Sequence, residues 1–264
     1  MAFSIAEYET TIAKLHEANG RHRNLVTQAR QTVHTILDAA FFVPPPAKNW
    51  IRTTMDEVAA EDHNLFERIL DTLASAWVPL ALSDRSNRWT QLGSVVTSVA
   101  GNLQPINRDI DIHWKGAAAE AYESVAVAHQ LAASRIGDIT ERTQLALSWM
   151  TNVGAALYIG LLVIALKLVA GIAAALMGIS SGIGLPAGIG VMLSLVATAA
   201  GEIVSMVALF IATYAWAKVQ MNNMRSEALD QSAFPNNRWP VGAAHSYDDA
   251  TVTDGDADWS IERP

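Results

Sequence analysis

The chain has no cysteine. That excludes a disulfide scaffold, and with it the zinc, iron–sulfur and thiol chemistries that depend on Cys. A basic surplus is also missing: 18 Lys and Arg face 26 Asp and Glu, giving a formal charge of -8 over 264 residues. A nucleic-acid binder would show the opposite balance. Charge of either sign is scarce, at 17% against 51% hydrophobic, which is lean for a protein living wholly in water. No stretch shows the period-two alternation and turn dipeptides of strands. Residues 1–9 have no basic n-region and no apolar core, so no signal peptide is expected.

Catalytic patterns are missing as well. Gly178, Ser180 and Gly182 match G-x-S-x-G, but a nucleophile elbow needs a preceding strand and a surrounding sheet. Here the match falls in an apolar turn. Glu61, Asp62 and His63, and Asp109, Asp111 and His113, lack the spacing of a metal cage and read as solvated helix faces and a helix end. There is no P-loop and no dinucleotide fingerprint. The expectation is a non-enzymatic protein with no cofactor, no metal and no nucleic-acid partner.

What charge there is lies unevenly. Residues 152–217 hold only Lys167 and Glu202, while residues 227–264 hold eight acids against two bases, -6 of the -8. Three parts follow: a mixed-charge helical bundle (1–150), a hydrophobic two-helix hairpin (151–218) and an acidic, mostly disordered tail (219–264). The fold class is all-α.

In the first part apolar residues step by three and four: Tyr8, Ile12, Leu15; Val26, Ala29, Val33, Ile36; Ile51, Met55, Val58, Leu65, Ile69, Leu73. Leu92, Val96, Val99, Leu103, Ile106 and Ile110 form a heptad seam, and Ala121, Val125, Ala128, Ala132, Ile136 and Ile139 another stripe. Breaks at Pro44–Pro46, Val78-Pro79 and Trp114–Gly116 predict helices over about 4–40, 47–77, 85–111 and 117–150, with Pro105 loosening the third. Short connections predict two antiparallel hairpins.

The third break carries the most specific pattern. Trp114 and Gly116 lie between two amphipathic helices, and Ala118, Ala121 and Tyr122 follow. This resembles the WXG-motif family of helical-hairpin proteins of type VII (ESX) secretion systems, over about residues 87–150. The resemblance implies a bacterial protein in which Trp114, Gly116 and Tyr122 build the hairpin turn and its packing surface. It also implies helical partners, either secretion components or further copies of the chain. Glycine suits such a turn, and Trp offers a large apolar face. Two features depart from the family. The chain is far longer, and none of its tyrosines (Tyr8, Tyr122, Tyr158, Tyr214, Tyr247) has Asp or Glu four positions on, as the family's secretion signal would. The first hairpin, 4–77, is a candidate for the partner that family members recruit.

Residues 153–179 and 185–217 each exceed the roughly 20 residues that cross a bilayer core. The turn between them predicts a transmembrane hairpin, with Trp149 and Tyr158 at one end of the first helix and Tyr214 and Trp216 at the matching end of the second. Arg135, Arg142, Lys218 and Arg225 flank that same side, which points both large termini to the cytoplasm. Gly184 and Gly188 fit the small-xxx-small rule for close helix approach. Lys167 and Glu202 are candidates for an intramembrane ion pair. An alternative reading hides the hairpin as the core of a soluble form, released on membrane contact.

These features predict a membrane-associated or exported substrate of a type VII system, acting through the lipid bilayer and helical partners. One alternative is a pore-forming or membrane-disrupting effector. A second is a membrane-anchored scaffold facing the cytosol.

Overall fold

The computed structural model describes residues 4–104 and 117–241, with the backbone alone at residues 117–119 and 121. Five α-helices make up nearly all of it: α1 Ile5–Ala39, α2 Pro45–Leu73, α3 Val78–Asn102, α4 Ala117–Ser180 and α5 Leu185–Ala228, with a short 3-10 turn at Pro235–Asn237. There is no strand among the described residues.

Local chemistry sets the ends of these helices. The Ser4 hydroxyl accepts a hydrogen bond from the Glu7 backbone N–H, capping α1. Pro44 and Pro45 open α2, where a missing N–H is harmless. For the same reason Pro79 sits in the first turn of α3, so the helix starts at Val78 rather than near residue 85. It ends at Asn102 instead of running through Pro105. A proline ring disfavours helical geometry in the residue before it. The WXG-like residues Trp114 and Gly116 lie outside the described residues.

The largest departure is α4. Separate helices over 117–150 and 153–179 are instead one helix of 64 residues, about 96 Å long. The expected break followed a change in composition, yet no proline lies between residues 106 and 185, and nothing stops the hydrogen-bond ladder. The second apolar helix also runs on, to Ala228 rather than residue 217.

The chain folds as two compact units, 1–81 with 150–214, and 82–149 with 215–264. This grouping cuts across the three consecutive segments of the sequence reading. In the first unit α1 and α2 form a hairpin that packs on the α4–α5 hairpin. Three clusters occur in order along it. Tyr8, Leu15, Ile69, Leu73, Tyr158 and Leu161 form one, and Leu65, Phe66, Ile164, Leu168 and Val196 the next. Val33, Leu37, Ile51, Met55, Ile172, Ile179, Leu185 and Met192 form the third. That order makes α1 parallel to this half of α4 and puts the α1–α2 turn and the α4–α5 turn at the same end. The 4–77 hairpin thus packs on the apolar pair and belongs to a different unit from Tyr122.

In the second unit α3 runs antiparallel to the first half of α4. The Ser86 hydroxyl donates to the Gln144 carbonyl, and a Cβ on Gly93 would meet Thr140. Residues 229–241 are not loose. Asp230 pairs with Arg135 at 2.8 Å, Glu227 with Arg142, and His129 Nε2 donates to the Pro240 carbonyl at 2.7 Å. Trp239 lies against the His129 ring. The sequence predicts disorder from residue 219 onward, whereas residues 219–228 continue α5 and 229–241 are anchored to α4 through Asp230, Trp239 and Pro240. Residues 242–264 lie outside the described residues.

Candidate functional site

The site is the apolar α4–α5 hairpin of the first unit. Its turn uses Gly182 in the left-handed region (φ 73°), where glycine carries no Cβ penalty. The helices then approach closely. A Cβ on Gly188 would lie 2.6 Å from Ile179 Cγ1 and 2.8 Å from the Ala175 carbonyl oxygen, so the small-xxx-small pair serves contact inside the hairpin.

One side of the hairpin is covered by α1–α2 and the other is bare. Its exposed residues include Ile159, Val163 and Leu166 on α4, and Leu193, Val204, Leu209 and Ile211 on α5. The most apolar stretch of α4 is 33% buried, that of α5 only 11%. A core helix of a soluble domain would be mostly buried. Both helices are long and apolar enough to cross a membrane, and their backbones are hydrogen-bonded internally, as a bilayer requires. The opposite side is unlike this one. The outward faces of α1 and α2 carry the ion pairs Glu17–Arg21 and Arg30–Asp56, and Arg52 pairs with Asp38.

Lys167 and Glu202, the two charges of the apolar segment, are brought together: Nζ lies 3.0 Å from Oε1 and 3.3 Å from Oε2. The pair sits on the bare side, with side chains 59% and 38% exposed. Trp149 and Trp216 also meet, ring centroids 5.9 Å apart. Tyr214 is exposed. Tyr158 departs from the expected aromatic belt. It is buried, its hydroxyl donates to the Thr72 carbonyl at 2.9 Å, and its ring meets Tyr8 edge-on. Tyr8 in turn donates to the Ala76 carbonyl, and burial holds its hydroxyl well above the usual tyrosine range. Arg135 and Arg142, read as a basic flank, are both paired with acids. Tyr122 is half-buried on α4.

The sequence reading missed one polar cluster. His22, Asp62 and Asn19 are buried between α1 and α2; His22 Nε2 lies 3.1 Å from Asp62 Oδ1, and its ring stacks on Phe66 at 3.9 Å. The sequence predicts Asp62 on a solvated face; it is instead buried against His22. The signal was the stripe itself: Leu15, Ala18, His22 and Val26 share one helical face, so His22 had to point inward. Among the described residues no group of His, Asp and Glu has the arrangement of a metal site. No family model matches the chain, and neither does any curated protein or solved structure.

Proposed function

We propose that the chain is a non-enzymatic, membrane-associated protein of the WXG-like group, exported by or attached to a type VII (ESX) secretion system, and that its α4–α5 hairpin enters a lipid bilayer. The observation that carries this reading is the bare apolar side of the hairpin. An uncovered surface of that extent is unfavourable in water and marks a lipid or protein contact. Lipid is favoured because the side belongs to two helices of spanning length whose apolar stretch, residues 152–217, holds only Lys167 and Glu202, and these two pair with one another. The WXG-like part of the reading rests on Trp114, Gly116 and Tyr122, supported by the antiparallel course of α3 and the first half of α4, the described helices that precede and follow Trp114 and Gly116 in the sequence.

The charged outer faces of α1 and α2 are incompatible with the hydrocarbon core. Crossing the bilayer therefore requires this pair to separate from the hairpin, while lying on the surface with the bare side down does not. Flotation of the purified full chain with phosphatidylcholine vesicles tests the reading. The protein should float with the vesicles and stay bound through high-salt washing. Protein left at the bottom of the gradient would overturn the reading.

The effector alternative draws on a different observation. Gly190, Ser194, Ala197, Gly201, Ser205 and Ala208 form an exposed stripe of small residues along α5, which suits close helix association within a membrane. Dye leakage from the same vesicles would favour an oligomeric, membrane-disrupting protein; intact vesicles carrying bound protein favour the first reading.

A further inference from the structure

Both hairpin turns of the first unit lie at one end, and that end is apolar and almost free of charge. Phe41 and Phe42 stand out from the α1–α2 turn, 94% and 77% exposed, and Ile183 at the α4–α5 tip is 96% exposed. The two phenylalanines meet edge-to-face, with centroids 5.8 Å apart. Between residues 39 and 51 the only formal charge is Lys48, and residues 168–201 have none. Two separate hairpins thus present their most exposed large side chains together.

Several polar groups at this end are satisfied internally. Pro44, Pro45 and Pro46 have no N–H to satisfy. The Phe41 N–H donates to the Ala39 carbonyl and the Val43 N–H to the Ala40 carbonyl. At the other tip, the Ser180 hydroxyl donates to the Leu176 carbonyl and the Ser181 hydroxyl to the Gly178 carbonyl. The Gly184 N–H donates to Ser181 Oγ, and the Gly182 N–H to the Ile179 carbonyl. Turns normally keep such groups for water. Groups bonded internally enter a low-dielectric layer at little penalty.

We infer that this end is the part of the molecule that first engages lipid, with Phe41, Phe42 and Ile183 seated in the boundary between headgroups and acyl chains. The occupant is a lipid surface rather than a protein groove. The side chains project from two turns that are nearly free of charge, and the tip is continuous with the bare side of α4–α5 through the exposed Met177. The near-absence of charge predicts attraction to zwitterionic lipid, without need of anionic headgroups. The inference rests on the membrane reading above and adds which residues lead.

The test compares the full chain with a Phe41→Ser, Phe42→Ser double variant on phosphatidylcholine vesicles. Both side chains are exposed, so helical content by circular dichroism should be unchanged. Partition of the variant should fall about tenfold or more, since two phenylalanines lose their apolar contact. A dye on Phe42→Cys, in a chain with no other thiol, should shift to shorter wavelength when vesicles are added. If the native chain binds vesicles while the double variant binds equally and the dye stays in water, this inference fails and the hairpin reading stands. If the native chain does not bind at all, the hairpin reading fails and takes this inference with it.

Discussion

Lys167 and Glu202 behave differently according to what surrounds them. In water an exposed pair of this kind contributes at most about 1 kcal/mol. In hydrocarbon a lone ammonium at mid-helix is unfavourable by roughly 2.5–3.5 kcal/mol. Glu202→Gln should therefore leave the urea midpoint of the lipid-free protein nearly unchanged, yet weaken vesicle insertion by about tenfold or more. A Lys167→Leu, Glu202→Leu double variant should regain insertion, because no charge is left to bury. Equal effects with and without lipid would place the pair on a permanently wet surface. The meeting of the two residues was legible in the sequence, since they lie at similar distances from the turn at Gly182. The burial of His22 and Asp62 was half legible. The helical stripe pointed His22 inward, but its partner lies 40 positions on in α2, and pairing between helices leaves no periodic mark in one helix.

Elements were legible where breaker residues bound them and illegible where composition alone changed. Pro44–Pro46 and the glycine-rich turn at 181–184 separate helices as their chemistry requires. The step from mixed charge to apolar near residue 150 changes what the helix faces and leaves its geometry alone, so α4 runs through. The segment 229–241 was unreadable for another reason. It has no periodicity, and it is held by scattered side-chain contacts to α4. One of those anchors is pH-sensitive. Hydrogen bonds from the Ser232 hydroxyl and backbone N–H, with help from the Arg135 guanidinium, hold the Asp230 carboxyl below its usual range. A depressed folded-state value means that its stabilisation is fully present above about pH 4 and is lost as pH falls through the lowered value. Amide hydrogen exchange across 229–241 should accelerate under those acidic conditions, and Asp230→Asn should show the faster exchange already at neutral pH. Exchange insensitive to both changes would mean that other contacts hold the segment.

At the scale of the whole molecule, the first unit has two unlike sides: charged helices α1 and α2 on one, bare apolar helices α4 and α5 on the other. The sequence held both patterns, but not that one hairpin would cover the other along a single side. That depends on which faces of four helices meet, and each stripe is compatible with several partners. The covered side explains how so apolar a hairpin sits beside charged helices in one unit, and the bare side is where lipid is expected. Val204, in the middle of that bare side on α5, reports on it directly. The decisive measurement is the fluorescence of a dye on Val204→Cys in the full chain, with phosphatidylcholine vesicles and two quenchers. One quencher is iodide in the water, and the other is a bromine-bearing acyl chain in the lipid. The account predicts that vesicles shield the dye from iodide and expose it to the brominated chains. Unchanged iodide quenching, with no quenching by brominated lipid, would contradict it.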